Sequence, residues 1–262
     1  MASYLYNHLG PTIKRIKRAK QLTVFLDYDG TLVGFKPRPE FAVPTNAVLY
    51  ALRQLKMKRD INIIIITGRP LEDIRKMIAI KGIGYAGTHG QQVIFPDGRH
   101  FEWEKSGKSV PVVQRIKRSV IKESMDEKGI LIEDKGTTIA MHYRKLDRSK
   151  VKAFRKFFTD AVKKFDKNGL LEVMEGSEVI EARPKGWNKG KAVGLIVKNM
   201  KERSGLVIYI GDDTTDEDAF SYLHSKTNAI TIWVKNKEKR HTKAHYYLNN
   251  PKQVNAFIRT IL

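Results

Sequence analysis

The run Val24-Phe25-Leu26-Asp27-Tyr28-Asp29-Gly30-Thr31-Leu32 constrains this chain more than any other stretch. Three apolar residues before Asp27 read as a short interior strand, and Gly30 permits the sharp exit that brings backbone close to a ligand. With a strand's two-residue period Asp27 and Asp29 share a pleat direction, so their carboxylates are expected to converge on one ligand. Two carboxylates about 4 Å apart repel by about 4 kcal/mol at an effective dielectric of about 20, unless a cation lies between them. A divalent metal is therefore expected. The plain alternative for this segment alone is a solvated Asp-x-Asp-Gly turn.

A second apolar run, Leu206-Val207-Ile208-Tyr209-Ile210, also empties into acid: Gly211-Asp212-Asp213-Thr214-Thr215-Asp216-Glu217-Asp218. Such a cluster is unexpected in a chain with 49 Lys+Arg against 28 Asp+Glu. A hard cation taking oxygen ligands, Mg²⁺ above all, accounts for it economically. The same residues suit a helix N-terminus and its dipole. Both readings are compatible, with the first acids on metal and the later ones capping.

A third run, 61–66, ends in Thr67-Gly68-Arg69-Pro70, after which Leu71, Ile74, Met77 and Ile78 fall at helical spacing. Pro70 suits the first helical turn. A hydroxyl and backbone amides at a strand end before a helix form an anion site, so Thr67 is expected to donate to a phosphate, with Gly68 and Arg69 beside it. In Gly186-Trp187-Asn188-Lys189-Gly190-Lys191, Asn188 is placed to cap a helix carrying Ala192, Val193, Ile196, Val197 and Met200. Lys189 then sits where a cation opposes the helix dipole, a placement that hints at an anionic partner. The run is not a Walker loop: three residues separate its glycines, and Ala192 stands where Ser or Thr would hold the metal.

These four motifs, Asp27-Tyr28-Asp29-Gly30-Thr31, Thr67, Lys189 and Gly211-Asp212-Asp213, resemble in order and spacing those of the haloacid dehalogenase superfamily of phosphatases. Within it the chain is similar to the trehalose-6-phosphate phosphatase family, through Tyr85-Ala86-Gly87-Thr88-His89-Gly90, His142-Tyr143-Arg144, Glu181-Ala182-Arg183-Pro184, Trp187-Asn188-Lys189-Gly190 and the Asp-Asp-Thr-Thr-Asp-Glu run from Asp212. The likeness spans roughly residues 20 to 260. Related sugar phosphatases would show an asparagine where Asp216 stands. Thr67 replaces the more usual Ser, Val33-Gly34-Phe35 replaces the usual Thr-Pro, and Val234 leads into a basic segment where a shorter link is expected. The resemblance implies an α/β fold: a Rossmannoid parallel-sheet core with an inserted α+β lid, or cap. It also implies trehalose 6-phosphate as substrate, with glucosylglycerate phosphate and sucrose phosphate as alternatives.

The implied mechanism makes Asp27 the nucleophile and Asp29 the general acid and base, with Thr67 and Lys189 holding the phosphate. Mg²⁺ is expected on Asp27, the Asp29 backbone carbonyl and Asp212, supported by Asp213 or Asp216. From the family, Glu133, Lys135, Arg144 and Glu181 are expected to bind sugar hydroxyls. Glu133 with Lys135, His142 with Arg144 and Glu181 with Arg183 are each two residues apart on a strand, so each pair shares a face. For His142 and Arg183 a solvent-facing salt bridge contributing little is the expectation. His89 is kept outside the catalytic set, in a loop near the phosphate.

At 262 residues with 41% hydrophobic content, the chain suits one core with an inserted module. The expected division is a core over 1–106, opening with a basic segment at 1–20, a cap over 107–183, and the core again over 184–262. The cap is expected to hold two helices and four strands, with an aromatic stripe of Phe154, Phe158 and Phe165 as its own core. The absence of cysteine removes thiolate sites and disulfides and is compatible with a reducing cytosol. No apolar run approaches the ~18 residues of a membrane span. The expectation is a soluble, cytoplasmic monomer. A net charge of +21 raises a nucleic-acid binder as rival. The basic runs Lys14, Arg15, Lys17, Arg18, Lys20 and Lys235, Lys237, Lys239, Arg240 lack interleaved aromatics, so they are read as solvated faces and no nucleic acid is expected. A non-catalytic regulatory protein is the remaining alternative, disfavoured by the intact Asp27, Asp29, Lys189 and Asp212.

Overall fold

The computed structural model describes residues 2–36, 38–104, 106–176, 178–200, 205–236 and 240–261. The chain opens with β1 (Ser3–Tyr4), α1 (Leu9–Arg18), β2 (Leu22–Leu26), α2 (Asn46–Lys56), β3 (Ile61–Ile66), α3 (Leu71–Ile78), β4 (Gly84–Gly87), β5 (Gln92–Ile94) and β6 (His100–Glu102). An insertion follows: α4 (Val110–Glu123), β7 (Leu131–Asp134), β8 (Ile139–His142), α5 (Arg148–Phe165), β9 (Leu171–Gly176) and β10 (Val179–Pro184). The chain then returns through α6 (Lys189–Asn199), β11 (Leu206–Gly211), α7 (Thr214–His224), β12 (Ala229–Val234), β13 (Tyr246–Leu248) and α8 (Pro251–Thr260).

Two compact units result. One joins the chain up to Phe101 with the chain from Asn188 onward; the other is 102–187, against 107–183 read from the sequence. Trp103 and Trp187 stack with ring centroids 5.4 Å apart, which draws both ends of the insertion into the second unit.

The first unit is built on a sheet in the order β1-β13-β12-β11-β2-β3-β4-β5-β6. From β1 through β4 all neighbours run parallel, and β5 returns antiparallel to β4. Every residue of β2, β11 and β12 is buried, as expected of parallel strands covered on both faces. β11, β2 and β3 lie side by side, with Ile210 opposite Leu26 and Leu26 opposite Ile65. Their carboxyl ends therefore meet at one rim, where Asp27, Thr67 and Asp212 emerge.

Residues 1–20, read as a basic segment, fold into this unit. Leu5 and Ile16 are buried, and β1 adds a parallel edge to β13. The basic side chains of α1 lie on its outer face, and Arg15 donates to the Thr227 and Ala229 carbonyls. Of the second basic run, Lys237 and Lys239 lie outside the described residues. Pro70 precedes α3 as its N-cap, one position before the first turn where it was expected.

In the second unit β7-β8-β10-β9 form an antiparallel sheet. Ile139, Met141, Ile180 and Ala182 point to one face and pack with Val113, Ile116 and Phe158 of α4 and α5. The alternate residues Ala140, His142, Glu181 and Arg183 belong to the opposite face, the in/out alternation of a sheet with one apolar side. Phe158 is fully buried in this core. Phe158→Ala is expected to cost about 3–5 kcal/mol in chemical denaturation; a loss under about 1 kcal/mol would show that α5 is not seated on its sheet.

Candidate functional site

The site begins where β2 stops at Leu26. Beyond that point the strand's alternation no longer applies, and Asp27 and Asp29 part company. Asp27 turns into the interior, where its Oδ1 accepts from Lys189 Nζ at 2.8 Å. Asp29 turns to Arg69, whose Nε and NH2 reach its two oxygens at 2.6 and 2.7 Å. The two carboxylates thus rest on different partners. Gly30 makes the parting feasible: its φ of +82° is left-handed, and a Cβ there would overlap the Asp212 carboxylate.

Lys189 is the first residue of α6, capped by Asn188, whose side chain accepts from the Lys191 amide at 2.9 Å. Its ammonium is 2% exposed and bridges Asp27 to Asp216, the latter at 2.7 Å. Asp216 is completely buried and accepts four hydrogen bonds: from Lys189 and the Tyr209 hydroxyl on Oδ1, and from the Asp212 and Asp213 amides on Oδ2. Asp213 is the N-cap of α7, with Asp216 completing a capping box. Of the acids expected around a metal, Asp213 is thus turned into a helix cap, and Asp216 is saturated by donors that aim the loop carrying Asp212.

Ligand atoms of Asp27, Asp212 and Asp216 all lie within 4.8 Å of one another, a group able to hold a metal ion. Burial, opposed by Lys189 and reinforced by Asp216 and Asp29, pushes the Asp27 carboxyl up to about 7. Burial and then the charges of Asp27 and Asp216 raise Asp212 well above the carboxylate range. Burial alone would lower Lys189, but Asp216 and Asp27 outweigh it and hold the ammonium charged. Three buried acids share one buried cation, and their hard oxygen donors suit a divalent ion.

Thr67 is buried at the end of β3, and its Oγ1 accepts from the Arg69 amide at 3.2 Å. The Thr67 carbonyl accepts from the His89 amide at 2.8 Å, and the His89 ring lies directly over Gly68. Arg69 is held by more than Asp29: it donates to the Pro39 carbonyl at 2.8 Å and sits 5.2 Å over the Tyr28 ring. In the inserted unit Lys135 lies between Glu181 at 2.9 Å and Glu133 at 3.9 Å, over the row in which Ala140 pairs with both Glu133 and Glu181. Burial would raise Glu133, but Lys135 and His142 outweigh it and hold it below its ordinary range. His142 pairs with Glu133 at 2.9 Å and Arg183 with Glu172 at 2.7 Å; Arg183 is buried, so its pair is not the solvent-facing one expected. Arg144 pairs with Glu178 at 2.7 Å, apart from the Lys135 group.

Sequence reasoning did not single out Tyr209, Thr31, Asn236 or Arg240. Tyr209 carried a signal, since a tyrosine inside a buried strand must find a partner for its hydroxyl. Thr31 donates to Asp212 Oδ1 at 3.1 Å. Asn236 and Arg240 lie in a run that composition alone makes look solvated.

The family model for trehalose-phosphatase matches residues 25–252. A Mycobacterium marinum protein described as trehalose-phosphate phosphatase is 33% identical over 240 residues, covering 89% of this chain and 60% of its own length. A probable trehalose-phosphate phosphatase D of Arabidopsis thaliana is 29% identical over 263 residues, covering 95% of this chain and 69% of its own. The chain thus spans about 60% of the mycobacterial relative. Among solved structures, the C-terminal domain of Candida albicans trehalose-6-phosphate phosphatase superposes with a TM-score of 0.86 at 23% identity, covering 100% of this chain and 98% of that one, a likeness of fold. A structure described as a trehalose-6-phosphate phosphatase related protein gives 0.76 at 26% identity, covering 90% and 95%. No helix among the described residues is long and apolar enough to cross a membrane.

The raised Asp27 carboxyl makes stability depend on pH. Its folded pKa of about 7 exceeds its ordinary 3.8, so the folded state binds this proton more tightly than the unfolded chain. That contribution is complete below about pH 4 and is lost as pH rises through about 7. In chelator, Tm is expected to fall between about pH 5 and about pH 8, and millimolar Mg²⁺ is expected to offset much of the fall by replacing the proton. An identical pH dependence with and without Mg²⁺ would remove the acid group as a cation site.

Proposed function

This chain belongs to the trehalose-phosphatase family, and on that premise we propose that it is a Mg²⁺-dependent phosphatase that hydrolyses trehalose 6-phosphate through an aspartyl-phosphate. The observation that carries this reading is the buried group in which Lys189 joins Asp27 to Asp216 beside Asp212. A hydrophobic core has no use for three acids and one lysine at a strand rim.

Asp27 attacks phosphorus in line as the P–O bond to the sugar breaks, and Asp29 gives the departing oxygen its proton. Asp29 then takes a proton from the water that attacks the aspartyl-phosphate, releasing phosphate and restoring Asp27. Arg69 fixes the direction of Asp29, each of whose oxygens keeps a lone pair beside its Arg69 bond. Two of the three Lys189 N–H groups are given to Asp27 and Asp216, which leaves the third for a phosphoryl oxygen. Thr67 Oγ1 accepts from the Arg69 amide, which leaves its own O–H to donate to the same phosphate, beside the Gly68 amide. Mg²⁺ bound by Asp27, the Asp29 carbonyl and Asp212 would neutralise charge on the phosphoryl oxygens. Asp216 and Asp213 support that set through the loop.

Glu133, Lys135 and Glu181 are assigned to the sugar hydroxyls: two acceptors around one donor suit a polyol, and their mutual ion pairs hold them ready. Arg144, paired here with Glu178, is assigned to the same sugar on the family resemblance alone.

A phosphate-release panel of phosphosugars with Mg²⁺ tests the substrate: trehalose 6-phosphate is expected to exceed sucrose and glucosylglycerate phosphates in kcat/KM, and the reverse order would reassign it. Asp27→Asn is expected to form no phosphoenzyme and to show no turnover; activity at the wild-type level would exclude it as nucleophile. Asp29→Asn is expected to lose about 10²–10⁴-fold on the sugar phosphate, where the leaving alkoxide needs a proton, and much less on p-nitrophenyl phosphate. Equal losses on the two substrates would argue against an acid role.

A further inference from the structure

We propose that Asn236 and Arg240, on the segment between β12 and β13, are positioning residues for Asp212 and set the metal affinity of the site. This rests on the reading that Asp212 holds the cation.

Asp212 needs such help. It is 5% exposed, beside Asp27 and Asp216, and like charge at this distance drives it to swing aside. Its oxygens are braced from two directions: Thr31 Oγ1 donates to Oδ1 at 3.1 Å and Asn236 Nδ2 to Oδ2 at 3.1 Å. The same Asn236 amide group donates to the Gly30 carbonyl at 2.7 Å. The Gly30 carbonyl can only accept, so the NH₂ end of Asn236 faces it, and the orientation of the amide follows. One side chain therefore ties the loop bearing Asp27 and Asp29 to the loop bearing Asp212. Asn236 does this from a left-handed backbone (φ +44°), a conformation asparagine tolerates better than most residues with a Cβ.

Arg240 braces the backbone of the same loop. One of its NH2 groups donates to the Asp212 carbonyl at 2.7 Å and to the Asp213 carbonyl at 2.9 Å. The guanidinium is itself fixed, lying 5.2 Å over the Trp233 ring and 3.5 Å from Glu217, while Trp233 Nε1 donates to the Asp212 carbonyl at 3.2 Å. A cation against two carbonyls beside a cluster of acids also offsets part of their repulsion.

The test is Mn²⁺ binding to the full chain without substrate, by calorimetry or electron paramagnetic resonance, for wild type, Asn236→Ser, Arg240→Gln and Lys235→Ala. Removing an outer-shell partner typically weakens metal binding about 10–100-fold. Asn236→Ser and Arg240→Gln are each expected to raise the Mn²⁺ Kd at least about tenfold, while Lys235→Ala on the same segment stays within about twofold of wild type. At saturating Mg²⁺ the KM for the phosphosugar is expected to be unchanged in both. Two results overturn the proposal: a Kd within about twofold of wild type in both variants even if Tm falls, or an equal weakening in Lys235→Ala, which marks mere loosening of the segment. If one variant does not fold, the other decides. A wild-type chain that binds no Mn²⁺ would instead refute the reading of the site itself.

Discussion

The buried contact of Lys189 with Asp27 and Asp216 is the interaction on which the rest of the site depends. An ammonium and three carboxylates in the interior would be costly if any of them lacked partners, because desolvation of each ion takes several kcal/mol. The fold answers with donors. Asp216 takes four hydrogen bonds, including a tyrosine hydroxyl that reaches it from inside β11, and Asp212 takes donors on both oxygens. What stays uncompensated is charge: one lysine stands against three acids. Burial first, and then the neighbouring acids, raise Asp27 and Asp212, and the deficit gives the site its appetite for a further cation.

Close approach of backbone to side chain makes this cluster geometrically feasible. Gly30 admits the Asp212 carboxylate at its own Cα, and Gly211 leaves room for the Asp216 carboxyl to fold back beneath the loop it caps. With Asp216 drawn in, the Asp212 and Asp213 amides point at its Oδ2, and the first turn of α7 is set by the same contact. Helix capping and acid placement are therefore a single event, and the alternative readings of that acidic run are joined in one side chain.

The inserted unit solves a different problem with an ordinary device. A four-stranded sheet buries one face under α4 and α5 and leaves the other to polar residues. On that face the small side chain of Ala140 leaves space between Glu133 and Glu181, and Lys135 fills it with charge. The result is a preorganised set of acceptors and a donor on a rigid surface, which is what recognition of a polyol calls for.

Period and composition alone determined the strands of the core interior, because β2, β3, β11 and β12 are almost wholly buried and read as near-continuous apolar runs broken only by Thr23, Asn62 and Thr231; they also determined the helices with apolar stripes and the acids at strand ends. β4 was illegible: Gly84-Tyr85-Ala86-Gly87 offers a single strand former between glycines and alanine, and pairing with β3 and β5 makes it a strand. α1 was hidden by its basic outer face, its burial resting on Leu5, Ile16 and a two-residue strand at the sheet edge. Only tertiary structure decided how the acids divide: Asp27 to Lys189, Asp29 to Arg69, Asp213 to a helix cap, Asp216 to an anchoring role. Partners brought in from elsewhere in the chain make the first two assignments, Lys189 for Asp27 at a separation of 162 residues and Arg69 for Asp29 at 40. A chain's local pattern reports which face a residue takes, whereas the donor a carboxylate finds depends on which distant loops the sheet brings to the same rim.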